Sequence, residues 1–156
     1  MAGGAALAMF GITGSACSSP PAPPAVDELE SQLKLARHDS ELATAAASAA
    51  AKPVSAALTE VAAERTQHAQ ALATEITRLA VNPTSSQTTS PTPTTSAAAA
   101  PPPTLSDVIN SLRGSAASAS HLATTSSGYR AGLLGSIAAA CTASYSVALV
   151  FSGSAS

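Results

Sequence analysis

Residues 26–79 read VDELESQLKLARHDSELATAAASAAAKPVSAALTEVAAERTQHAQALATEITRL. From Val26 the positions Leu29, Leu33, Ala36, Ser40, Ala43, Ala47 and Ala50 recur at alternating steps of three and four, the period of one helix face. From Val54 a second series, Leu58, Val61, Arg65, His68, Leu72, Ile76 and Leu79, keeps that period with a single extra step of four. The two series mirror each other about Lys52 and Pro53. Val26 and Leu79, Leu29 and Ile76, Leu33 and Leu72, Ser40 and Arg65, and Ala47 and Leu58 are equidistant from the joint. Ala36 with His68, Ala43 with Val61 and Ala50 with Val54 miss by a single residue. Independent helices have no reason to share a register, so the stretch predicts an antiparallel helical hairpin folded at Lys52-Pro53.

Local signals agree with that reading. Asp27, Glu28 and Glu30 crowd the start of the first helix, where the helix dipole favours negative charge. Glu30 with Lys34 and Arg37 with Glu41 are spaced to form ion pairs along a solvated outer face. Pro53 suits the first position of the second helix, where its missing N–H is no loss, and Asn82-Pro83 ends that helix. Arg65 and His68 stand on the inward stripe where apolar side chains are expected. A half-buried guanidinium needs a partner, and the register places Asp39 opposite it. An Asp39 to Arg65 contact is therefore expected as a structural pin between the helices.

Thr104-Leu105-Ser106-Asp107 reads as a capped helix start, with Thr104 as cap and Asp107 returning to it. Leu105, Val108, Ile109, Leu112, Ala116, Ala119 and Leu122 follow at helical spacing, and Thr124 to Gly128 reads as a turn. Ala131 to Phe151 is an uncharged stretch of 21 residues, just long enough to cross a bilayer. Its Leu, Ile, Val and Phe residues are offset by Gly, Ser, Thr and Tyr, so a buried bundle helix is expected, with a membrane span as the alternative. Gly132, Ser136, Ala140, Ser144 and Ala148 form a small-residue stripe along it. The second half thus reads as another hairpin, 105–151, followed by a short tail, 152–156.

Met1 to Ala16 is small and apolar and ends at Gly14-Ser15-Ala16-Cys17, followed by a Pro-rich tether over 18–25. Residues 1–17 resemble a bacterial lipoprotein export signal ending in a lipobox. The resemblance implies that Cys17 is acylated and becomes the mature N-terminus. Gly14 stands where that family usually has Leu, and no Lys or Arg precedes Lys34. A second linker, 82–104, combines Thr, Ser, Pro and Ala without a charge and is expected to be disordered or extended. In an exported protein such a tract resembles an O-glycosylated stalk, with an unmodified spacer as the alternative.

Seven basic against nine acidic residues leave a formal charge of −2, which offers no clustered basic face for nucleic acid. Eight of the nine acids lie between Asp27 and Glu75, and none follows Asp107. With two Phe, two Tyr and no Trp, the core must come from Ala, Leu, Val and Ile. Alanine favours helix but buries little area, so a marginal bundle that is anchored or partnered is expected. No Gly-x-Ser-x-Gly and no Gly-rich phosphate loop is present. Cys141, in an apolar run, reads as a buried small hydrophobe rather than a nucleophile.

Glu64 and His68, one turn apart, with His38 and Glu41 across the hairpin, form a candidate iron or manganese site. With Glu and His on an inner face and the closing stretch Ser127 to Ile137, the chain resembles the ferritin-like alanine-rich proteins of actinobacteria. That resemblance implies an all-α fold: two antiparallel hairpins in a ferritin-like four-helix bundle. A di-iron centre would want Glu-x-x-His on two helices. Here the spacing is Glu-x-x-x-His, and the later helices supply no Glu. The expected function is a non-enzymatic envelope protein without cofactor. It would be held on the extracytoplasmic face of the cell membrane by Cys17 or its apolar segments. Its expected role is a scaffold for another helical protein or for self-association, with a metal-binding redox protein or an integral membrane protein as alternatives.

Overall fold

The computed structural model describes residues 24–81 and 101–154. Residues 1–17, where an export signal ending at Cys17 is expected, and most of both expected linkers lie outside these residues. Among the described residues the protein is an all-helical bundle without strands. Its elements are α1 (Pro24–Ala49), α2 (Val54–Val81), α3 (Leu105–Thr125), α4 (Gly128–Ala143), a π-helical turn (Ser144–Ala148) and α5 (Leu149–Ser154). The last three run on from one another as a single rod.

Residues Ala50 to Pro53 connect α1 to α2, and the two helices pack side by side. Ser55 Oγ donates to the Ala47 carbonyl at 2.9 Å. Further along, Ser40 Oγ donates to the Ala62 carbonyl at 2.9 Å and meets Thr66 Oγ1 at 2.8 Å. Higher numbers on one helix thus meet lower numbers on the other. Pro53 is the last residue before α2 rather than its first, and its carbonyl accepts the early helical bond from Ala57 N at 3.2 Å.

α3 opens on a capping box. Thr104 Oγ1 accepts from Asp107 N at 3.2 Å, and Asp107 Oδ2 accepts from Thr104 N at 2.8 Å. The helix then runs to Thr125, so the link to α4 is only Ser126-Ser127 rather than the longer turn expected. Gly128 starts α4 at φ +57°, a left-handed conformation open to glycine at little cost.

The core combines Leu29, Leu58, Leu72, Val108, Leu112, Leu134, Ile137 and Leu149 with small residues such as Ala36, Ala43, Ala119 and Cys141. On α1 the buried positions are Leu29, Gln32, Ala36, Asp39, Ala43 and Ala46, while Leu33, Ser40 and Ala47 are partly exposed. The expected stripe is thus one flank of a face turned toward a second neighbour. α3 covers the other flank, which a two-helix register does not foresee. On α2, Ala69 and Glu75 are buried, and His68, Ile76 and Leu79 are only partly covered.

The π turn resets the rod's phase. A π turn carries one residue more per turn than an α turn, so Leu149 takes the inward place that regular winding would give Ala148. Leu149 is 0% exposed, and Ala148 faces solvent. Leu149→Ala is expected to cost about 2–5 kcal/mol in denaturant unfolding. Ala148→Ser should stay within about 0.5 kcal/mol of the parent. Equal effects would mean the phase is not reset.

Candidate functional site

The largest fully buried side chain of the described protein is not apolar: it is Arg65, 1% exposed. Facing it from α1 is Asp39, 0% exposed. Arg65 Nε donates to Asp39 Oδ2 at 3.0 Å, and Nη2 lies 2.9 Å from the same oxygen. Nη2 gains the ion-pair attraction at that distance but is not aligned as a hydrogen-bond donor to any acceptor. Nη1 approaches His68 Nδ1 at 3.1 Å. A guanidinium only donates, so Nδ1 is the acceptor and the neutral ring carries its proton on Nε2.

α3 completes the cluster with two hydroxyls. Ser115 Oγ donates to Asp39 Oδ2 at 2.6 Å, and Ser111 Oγ donates to Oδ1. Both carboxylate oxygens are thereby occupied, by donors from α2 and α3. Charge-assisted bonds of this kind are stronger than neutral ones, and in a low-dielectric interior each partner is costly to remove. α4 contributes the buried thiol of Cys141, which lies within reach of the Arg65 charge. Burial pushes that thiol up to about 11, against the opposing pull of the Arg65 charge. It stays protonated at neutral pH and is a poor nucleophile. Beside it, Ser144 Oγ of the π turn donates to Glu64 Oε2 at 3.2 Å.

Further contacts brace the cluster. Gln32 Nε2 donates to Ser118 Oγ at 2.7 Å, while Gln32 Oε1 is buried without a partner. The Arg113 guanidinium lies over the Tyr145 ring, 5.2 Å from its centroid, tying α3 to the π turn. Glu75, buried on α2, accepts two bonds from Arg78 at 2.7 Å, which hold its carboxyl below the usual range.

The four residues considered for iron or manganese do not converge. Among the described residues no group of three or more His, Cys, Asp or Glu side chains is placed to hold a metal ion. With Asp39 turned inward, helical geometry sends His38 and Glu41 to the exposed side of α1. Glu64 turns to Ser144, and His68 to Arg65. The Arg65 cation, beside His68 and Cys141, also disfavours a second positive charge there.

Among the described residues one helix, Gly128–Ser154, which contains the uncharged segment, is long and apolar enough to cross a membrane by length and composition. Leu134, Ile137, Cys141 and Leu149 place one side of it in the core. The other side is open, with Tyr129, Val147, Val150 and Phe151 exposed. Of the small-residue stripe, Gly132, Ser136 and Ala148 face outward and Ser144 faces inward.

No family model, curated protein or solved structure matches the chain.

Asp39→Ala strands a buried guanidinium and is expected to destabilise the protein by about 3–5 kcal/mol. In the double variant Asp39→Leu with Arg65→Met, much of that loss should be recovered, because neither charge is left alone. A double-mutant cycle read by denaturant unfolding checks both statements. An Asp39→Ala protein as stable as the parent would remove the pin.

Proposed function

We propose that this protein is a non-enzymatic helical scaffold of the cell envelope, held on the extracytoplasmic side of the membrane and built as two antiparallel hairpins in a ferritin-like arrangement. The observation that carries the reading is the contrast between inside and outside. The Asp39 carboxylate is occupied by Arg65, Ser111 and Ser115, so the most polar place in the bundle binds helix to helix. Beyond Arg130 the Gly128–Ser154 rod carries no charge, and one side of it, including Gly132, Ser136, Ala139, Val147 and Val150, is exposed. An uncovered apolar helix face suits a helical partner or a second copy of the chain. Small outward residues such as Gly132 and Ser136 would let that partner's backbone come close.

Membrane attachment rests in this reading on Cys17, with α4 kept as a bundle helix because Leu134, Ile137 and Cys141 are in the core. Mass spectrometry of the native N-terminus is expected to find acyl chains on Cys17. Alkaline carbonate should release the Cys17→Ala protein from membranes but not the parent. An unmodified Cys17 in a chain beginning at Met1 would overturn the anchor. A Cys17→Ala protein that resists carbonate would instead favour a span over 131–151.

A further inference from the structure

Arg65 links every part of the polar cluster, and its N–H groups are unevenly served. Nε has the Asp39 carboxylate, Nη1 has His68 Nδ1, and Nη2 has ion-pair attraction alone. Among these acceptors His68 is the one that mild acid converts to a donor, since a proton on Nδ1 takes the lone pair that Arg65 uses. The conversion removes an acceptor from a buried guanidinium and sets an imidazolium against it.

The groups linked to His68, directly or through Arg65 and Asp39, come from α1, α2, α3 and α4. On α2, Arg65 opposes its protonation and Glu64 favours it. Beyond Arg65 lie Asp39 of α1 and the Cys141 thiol of α4, and α3 presents the hydroxyls of Ser111 and Ser115. Burial and the Arg65 charge outweigh Glu64, so the ring is held neutral below the usual imidazole range.

We propose that His68 makes the docking of α3 on α1 acid-labile: its protonation deprives Arg65 of an acceptor, loosens Arg65 on Asp39, and weakens the Asp39 hold on Ser111 and Ser115. The acid response of the bundle is independent of its anchoring and scaffold role. It survives if Cys17 proves unmodified, and the scaffold reading survives if the response is absent.

The sign follows from linkage. A ring held neutral in the fold takes up a proton more readily in the unfolded chain. The stabilisation is therefore complete above the ordinary imidazole range near 6.5 and is lost as pH falls through it toward the lowered folded value. Thermal unfolding of the full chain between about pH 7.5 and 5 reads this above most carboxylate titration. The parent is expected to lose about 2–6 °C across the window. His68→Gln, which keeps an acceptor but cannot take a proton, should show no such step. A His38→Gln, His121→Gln double variant should retain it. A step that survives in His68→Gln, or vanishes in the double variant, overturns the proposal. Should His68→Gln not fold, NMR of the parent decides. The His68 ring is expected as the Nε2–H tautomer at pH 7.5, and its titration should move the backbone amides of Ser111 and Ser115. Amides that stay fixed while His68 titrates would overturn it equally.

Discussion

A guanidinium shut away from water must find a carboxylate and enough acceptors, and around Arg65 that requirement governs how the helices meet. The faces that pack here are rich in alanine, which offers little relief to distinguish one register from the next. Sliding such faces past each other by a turn changes the apolar contact only modestly. The same slide would part Asp39 from Arg65 and from Ser111 and Ser115, leaving buried charges unmatched. The polar centre therefore contributes selectivity more than gross stability, and the surrounding Leu, Ile and Val side chains supply the burial.

The contacts also divide the work among helices unequally. α1 stands at the centre, touching α2 through Ser40 and Ala47 and α3 through Gln32 and Asp39. α4 reaches the cluster with Cys141, and the π turn reaches it with Ser144. One side of the rod is consequently fixed to the rest of the bundle while its other side has no described neighbour. Charge follows the same division: α1 carries exposed Lys34, Arg37 and Glu41, whereas the outward positions of α4 hold Gly132, Ser136 and Ala139.

Much of this was legible in the sequence, and the rest was hidden for identifiable reasons. The capping box at Thr104 is a local pattern, and local patterns survive folding. Asp39 and Arg65 could be set opposite each other because both lie within one mirrored stretch. Ser111 and Ser115 could not, since serine is common along the chain and nothing local marks those two as donors to α1. Gln32 escaped because a two-helix register assigns α1 a single buried flank, whereas α3 covers a second. The same rotation explains the failed grouping of His38 and Glu41 with Glu64 and His68: positions on either side of an inward Asp39 point away from the core. The π turn gave no sequence signal in Ser144 to Ala148.

That turn gives the long rod two angular settings instead of one. Upstream of it the helix is oriented by Ile137 and Cys141, and within it Ser144 answers to Glu64. Downstream, Leu149 is oriented afresh, and Gly153 passes so near Leu105 that an added methyl would sit 3.3 Å from its side chain. A straight α-helix would have to compromise between these two demands, misaiming one end to satisfy the other. The wider coil absorbs the discrepancy in the middle, so the tip seats against α2 and Leu105 without turning Cys141 out of the core.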